Sequence, residues 1–300
     1  MNRYAIGTAK LFDQLAFYLE RELRDFRLNG VEFTTGRSLC GDCWYYTIQW
    51  KQAIHAEKVQ TAVAKAVTDF LTLEWEQNRI RKRITKEYTY YDADEVDYLT
   101  ENAVQYLSTY RRPSARLYRQ AEIERDVFCY VRQNPVLHVE GFIRFRLRHY
   151  SKDLDLAIEQ AIDQYLMDRE YQEFVKLLRH FLSVQQSRSP LIHLVLDEGW
   201  TRLVDHDGFQ ITDEDLNRFA EDLMDADLQQ DDMIISTLIT LAPLSVKIHL
   251  PNRVSDDEVL VDTVKRVFEE RVTLCSGCTM CQTPLECWDQ NGHFPLDYSK

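Results

Sequence analysis

Gln185-Gln-Ser-Arg-Ser-Pro190 runs into Leu191-Ile-His-Leu-Val-Leu196, and the hydrophobic period changes at this junction. Upstream, apolar residues recur every three or four positions, the spacing of helices packed on one side. Downstream, short apolar and β-branched runs alternate with acidic, glycine-containing turns, the pattern of strands. The junction therefore predicts a mainly α N-terminal region, 1–188, a smaller acidic α+β region, 189–282, and a Cys/His-containing tail, 283–300.

Charge changes at the same place. Residues 1–188 hold 28 Lys and Arg against 27 Asp and Glu, whereas residues 189–300 hold 8 against 22, so the second region carries the whole net charge of −13. A chain this acidic is unsuited to coating nucleic acid or anionic membranes. The longest apolar-looking run, Met233–Val246, is interrupted by Ser236, Thr237, Thr240 and Pro243 and falls short of the ~20 residues a spanning helix needs. Met1–Lys10 lacks the pattern of a secretory signal. The expectation is a soluble, cytoplasmic protein without a membrane partner.

Working back from the junction, Glu140–Phe181 reads as one long helix or two. Leu117–Gln133 is stopped by Asn134-Pro135, and the helix around Val96–Tyr110 is stopped by Pro113. Val59, Ala62, Val63, Ala66, Val67, Phe70 and Leu71 make a regular stripe whose helix ends in the basic run Arg79–Lys86, cations that suit a helix C-terminus. Phe12, Leu15, Leu19, Leu23 and Phe26 give a first helix, stopped by Asn29-Gly30. Val31–Thr35 and Trp44–Trp50 predict a small hairpin with Cys40 and Cys43 near its turn. Working forward, Trp200–Val204 and Phe209–Ile211 follow as strands around Asp205-His-Asp-Gly208. Thr212 caps a helix to about Asp225, and Met233–Leu241 fits either state. After a strand at Val246–Leu250, Ser255-Asp-Asp-Glu258 opens a helix as a capping box, and Arg271–Cys275 is a last strand.

That strand delivers the sharpest chemical motif, Cys275-Ser-Gly-Cys278-Thr-Met-Cys281, with Cys287 six residues on. Three thiols in a glycine-containing loop can converge on one metal. An odd count of seven cysteines without a secretion signal argues against a disulfide framework. Zinc accepts four thiolates. Iron–sulfur clusters use a related run, but here the fourth cysteine comes late and Trp288 follows it instead of proline. Candidate metal ligands are Cys275, Cys278, Cys281 and Cys287, with His293 or the pair Cys40 and Cys43 as other sources of a fourth ligand; both zinc and an iron–sulfur cluster remain open. Taken alone, Cys40-Gly-Asp-Cys43 reads more readily as an ordinary turn. Lone Cys129, on a polar helix flank, reads as inert.

Arg144, Arg146 and Arg148 alternate with Phe145 and Leu147, a pattern that can track a phosphate backbone. Because Ile143, Leu147 and Leu154 continue a helical stripe, these arginines read instead as flanks of a packed face. Arg79–Lys86 and Arg111, Arg112, Arg116 and Arg119 read as solvated faces or as partners of the acidic region. Protein partners are the major functional reading, an iron–sulfur or thiol redox protein using Cys275, Cys278 and Cys281 the second, and nucleic-acid binding the minor one. There is no phosphate-binding glycine loop, dinucleotide fingerprint, H-E-x-x-H or G-x-S-x-G, and no acid–base–nucleophile set assembles. The sequence points to no enzyme class and to no small-molecule substrate.

Val139-Glu-Gly-Phe-Ile-Arg-Phe-Arg-Leu147, Tyr165-Leu-Met-Asp-Arg-Glu-Tyr-Gln-Glu-Phe174 and the late Cys-Ser-Gly-Cys together resemble the YtxC-like family of sporulation proteins of endospore-forming Firmicutes. The likeness covers roughly the central and C-terminal two-thirds of the chain. It implies a role in sporulation and an intracellular location, and it brings no activity, substrate or catalytic residue to carry over.

Overall fold

The computed structural model describes residues 2–28, 32–109, 115–197, 200–211, 230–251 and 258–282. Helices dominate, and two small mixed sheets accompany them. The chain divides into two compact units, Met1–Met167 and Asp168–Lys300. The predicted Thr212 helix, the Ser255 capping box, Cys287 and His293 lie outside the described residues.

In the first unit the elements run β1 (Asn2–Thr8), α1 (Phe12–Leu28), β2 (Phe33–Cys40), β3 (Cys43–Trp50) and α2 (Ala56–Phe70). A π-helical turn, Leu71–Trp75, joins α2 to α3 (Glu76–Glu87), and α4 (Ala93–Thr109), α5 (Ala115–Gln133), β4 (Val136–His138) and α6 (Val139–Arg146) follow. The expected hairpin is β2–β3, and it is half of a sheet. The strand order is β2-β3-β1-β4, antiparallel except for β1 beside β4. Alternation sorts the two faces: Tyr4, Ile6 and Thr8 of β1, Tyr46, Ile48 and Trp50 of β3, and Leu137 of β4 are buried. Under them α1 packs on α2, and α2 on α5. The α2 stripe delivers Val59, Val63, Ala66, Val67 and Phe70 to the same core.

At the π turn a charge is buried. Glu76, 1% exposed, pairs with Arg119 at 2.9 Å. The other basic residues of this region that make ion pairs find acids within the same unit, Arg81 with Asp97 and Arg83 with Glu87 and Asp155. The sequence offered two readings, solvated faces or partners of the acidic region; these pairs add a third, acids on the same or neighbouring helices of this unit.

The long stretch after Asn134 is two helices. Leu147, with φ −103° and ψ 47°, breaks α6 from α7 (Arg148–Val184). Residues of α7 up to Met167 belong to the first unit and those from Asp168 to the second.

The second unit continues with β5 (Leu191–Asp197), β6 (Trp200–Val204), α8 (Gln230–Leu241), β7 (Ser245–His249), α9 (Glu258–Phe268), β8 (Val272–Leu274) and the single turn α10 (Thr279–Gln282). The order is β6-β5-β7-β8, with β5, β7 and β8 mutually parallel. Phe209–Ile211 is not a full strand; Gln210 makes one bridge to Val204. One sheet face, with Ile192, Leu194, Leu196, Val246 and Ile248, is covered by Val175 and Leu182 of α7, Ile234 and Leu238 of α8, and Leu260, Val264 and Phe268 of α9. Among the described residues the other face is thinner. There Val195 and Val204 pack on Met280 of α10, with Cys278 against them. No helix among the described residues is long and apolar enough to cross a membrane.

Candidate metal centre

The thin face of the second sheet holds the chemistry. Alternation along β7 turns Val246 and Ile248 into the main core and leaves His249 on the opposite face; along β5 it does the same for His193. Strands β7 and β8 are parallel, with Ile248 opposite Leu274, and the Cys275 N–H donates to the Ile248 carbonyl at 2.8 Å. His249 and Cys275 therefore leave the two strands side by side.

Beyond Cys275 the chain must fold back onto this face. Gly277, at φ +115°, makes the bend in a region closed to most side chains. The Cys281 N–H donates to the Cys278 carbonyl at 3.0 Å and closes the loop, while Met280 anchors it.

These local rules bring four donors together. The ligand atoms of His249, Cys275, Cys278 and Cys281 all lie within 4.8 Å of one another. His249 Nδ1 is 3.4 Å from both Cys278 Sγ and Cys281 Sγ. Cys281 Sγ is 3.9 Å from Cys278 Sγ and 3.7 Å from Cys275 Sγ. Around a tetrahedral zinc with Zn–S of ~2.3 Å, neighbouring sulfurs fall about 3.8 Å apart and an imidazole nitrogen about 3.5 Å from each. Four of the six donor–donor separations thus match the edges of a tetrahedron of that size, and the other two are within 4.8 Å.

Electrostatics fit a cation. Burial pushes the Cys281 thiol up to about 12, and the neighbouring Cys275 and Cys278 sulfurs push the same way. Burial also acts to raise Cys275, but the Gly277 backbone, hydrogen bonds from Cys278 and Cys281 and the Lys247 charge bring it below the usual thiol range. Two thiolates at about 4 Å repel by roughly 4 kcal/mol at an effective dielectric of 20, so three of them share this space comfortably only around a positive charge. Burial, followed by the neighbouring His193 and Lys247, lowers His249 to about 3, and burial lowers His193 to about 4. Both rings are therefore neutral near pH 7, as a metal ligand must be. His249 Nε2, on the side of the ring away from the thiols, is 2.9 Å from His193 Nδ1.

Of the residues singled out from the sequence, Cys275, Cys278 and Cys281 lie together, with His249 beside them. Cys287 is outside the described residues. Cys40 and Cys43 belong to the first unit, where they face each other across the two-residue turn of the β2–β3 hairpin. His249 was not among the candidates. Its signal was the β–α–β order of Val246–Leu250, the following helix and Arg271–Cys275: parallel neighbours end on one side of a sheet, so the last residue of the first strand meets the loop after the second.

Asp205, His206 and Asp207 form another close group of donor atoms. The turn accounts for it, since Asp205 Oδ1 accepts from the Asp207 and Phe209 N–H groups and Gly208 sits at φ +92°.

Comparison with known proteins places the chain in a family. "Uncharacterized protein YtxC" of Bacillus subtilis (strain 168) is 29% identical over 164 residues, 53% of this chain and 55% of that protein. The chain thus spans about half the length of this curated relative. No solved structure matches. The model of the YtxC-like family matches residues 61–273, from α2 through β8 and ending just before Cys275. Since that match covers well over half of the sequence, the chain belongs to the YtxC-like family.

Proposed function

We propose that this protein is a sporulation-associated, cytoplasmic interaction protein whose C-terminal unit is organised by one structural zinc ion. His249, Cys275, Cys278 and Cys281 hold the metal. The observation that carries the metal reading is the set of four donors within 4.8 Å, with four of their six separations at tetrahedral edge lengths. A closed shell of four protein ligands suits structural zinc, whereas a catalytic site keeps a position for water. In a [4Fe–4S] cluster each cysteine caps a different iron, which holds the sulfurs well apart. Sulfurs 3.7 and 3.9 Å apart suit one ion better. On this reading His249 takes the fourth place, and Cys40, Cys43 and Cys287 are not needed to close the shell.

The sporulation role rests on the resemblance carried by Val139–Leu147 and Tyr165–Phe174. The partner role is supported by Phe174, Leu177, Phe181 and Val184, spaced three or four apart on α7 and exposed. Apolar surface of this kind marks protein–protein contacts.

Elemental analysis of anaerobically purified protein, with a visible spectrum of the same sample, tests the metal. The expected result is zinc near one equivalent and no visible absorbance; iron with matching sulfide contradicts it. In a spore-forming host, the Cys278→Ser, Cys281→Ser double variant is expected to lower the yield of heat-resistant spores. Full yield from that variant removes the metal from the function.

A further inference from the structure

A second thiol site lies in the first unit. Cys40 and Cys43 are opposed residues of β2 and β3, separated by Gly41, at φ +60°, and Asp42. Opposed residues of antiparallel strands have Cα atoms about 4.5–5.5 Å apart, inside the window of roughly 4.4–6.8 Å that a disulfide spans. The two side chains share the sheet face that looks away from the core. Cys40 is exposed and Cys43 half-buried, and both are free thiols.

Cys43 has a specific neighbour. His138, at the end of β4, brings its Nε2 to 2.9 Å from Cys43 Sγ. The ring is fixed from its other side, where Nδ1 accepts from the Gly141 N–H at 3.2 Å as the N-cap of α6. That bond leaves the hydrogen on Nε2, aimed at the sulfur. Glu140 Oε2 stands 3.5 Å from Nδ1, and Glu140 Oε1 is held by the Thr8 hydroxyl at 2.8 Å and the Ala9 N–H at 2.9 Å. Three segments distant in sequence, 8–9, 43 and 138–141, therefore build the surroundings of one thiol. A cysteine that is merely part of a turn needs no such construction.

We propose that Cys40 and Cys43 form a reversible dithiol–disulfide couple that reacts with low-molecular-weight disulfides. The exposed Cys40 meets the oxidant first. Burial, together with the Glu140 and Asp42 charges, pushes the Cys43 thiol up, which suits it to the second step. The Cys40 thiolate attacks one sulfur of a disulfide R–S–S–R. The R–S–S–R bond breaks, and the leaving thiolate takes up the proton Cys40 has lost. Cys43 then attacks Cys40 Sγ; the Cys40–S–R bond breaks, the Cys40–Cys43 bond forms, and a second R–SH departs with the Cys43 proton. Two thiols are oxidised and one disulfide is reduced. The His138 Nε2–H stabilises charge on Cys43 Sγ as it attacks, and again when that sulfur leaves during reduction.

The test uses the full-length protein with glutathione disulfide as the probe. Trypsin releases residues 38–51 as one fragment containing Cys40 and Cys43 and no other cysteine. Under an oxidising glutathione ratio this fragment is expected to lose two hydrogen masses while the metal content of the protein is unchanged. In Cys43→Ser the reaction is expected to stop at a glutathione adduct on Cys40. His138→Asn keeps an N-cap for Gly141 but is too short to reach the sulfur, and it should slow ring closure about tenfold without slowing adduct formation on Cys40. A fragment that remains a dithiol under these conditions overturns the proposal. Closure at the wild-type rate in His138→Asn overturns the role of His138.

Discussion

Each unit ends a mixed four-stranded sheet with a cysteine beside a histidine, and the two ends have become different things. In the first unit a two-residue turn holds Cys40 and Cys43 on an open face, and one imidazole reaches one sulfur. In the second, parallel strands deliver His249 and Cys275 together, and a glycine bend folds two more thiols over them. The residue types are the same; strand direction and the length of the loop decide whether two donors meet or four. The cores differ as well. The first unit buries a continuous set of side chains from Tyr4 to Ile162, whereas the thin face of the second sheet rests on Val195, Val204 and Met280. On the proposed reading, a metal matters to the second unit, whose thin sheet face carries the four donors, and not to the first.

The sharpest way to break this contrast is to remove the metal. Chelation, or the Cys278→Ser, Cys281→Ser double variant, should abolish the metal-linked stability of the second unit, on the order of 10 kcal/mol for a structural zinc site. Thermal melting followed by circular dichroism should show one transition lost and the first unit's transition kept. A single unchanged transition would mean that the second unit folds without the ion.

The reciprocal perturbation lies in the first unit. Arg119→Met leaves Glu76 buried without its cation and should cost about 3–5 kcal/mol. The metal stoichiometry should not change, and adding Glu76→Leu should restore much of the loss. A change in metal content would couple the two units energetically.

A smaller effect concerns His193, which meets the candidate metal site through His249. His193→Ala frees the His249 ring to turn, and metal affinity should fall about 10- to 100-fold in a competition titration with a chromophoric chelator. Unchanged affinity would show that the ring is held by packing alone. An effect of similar size is expected at Gly7, where an added Cβ would lie 2.4 Å from the Tyr45 ring. Gly7→Ala should cost about 1–3 kcal/mol, seen as a lower denaturation midpoint, and Tyr45→Ser should recover part of it.

The sequence disclosed what depends on local pattern. Helical spacing located α1, α2, α4 and α5; the change of period near Pro190 announced β5; and C-x2-C-x2-C marked three donors. Non-local arrangement was harder to read. β1 offers only Tyr4 and Ile6 in alternation, interrupted by Gly7, and becomes a strand because β3 and β4 pair with it on both sides. β4 is three residues long and follows a proline, so it carries almost no signal of its own. Both strands exist through pairing partners far away in sequence. The fourth donor was hidden for the same reason. A lone histidine in an apolar strand looks like core, and only the parallel register of β7 and β8 turns His249 toward the thiols. For the basic run Arg79–Lys86 the sequence left solvated faces and acidic partners open, and Arg81 and Arg83 pair with acids of the first unit.

The most direct test of the central claim is X-ray absorption at the zinc edge on the purified full-length protein. Three sulfurs at ~2.3 Å and one nitrogen at ~2.0 Å, with the nitrogen lost in His249→Cys, is the result predicted here. Four sulfurs in the unaltered protein would hand the fourth place to Cys287 or the Cys40–Cys43 pair and contradict the assignment of His249.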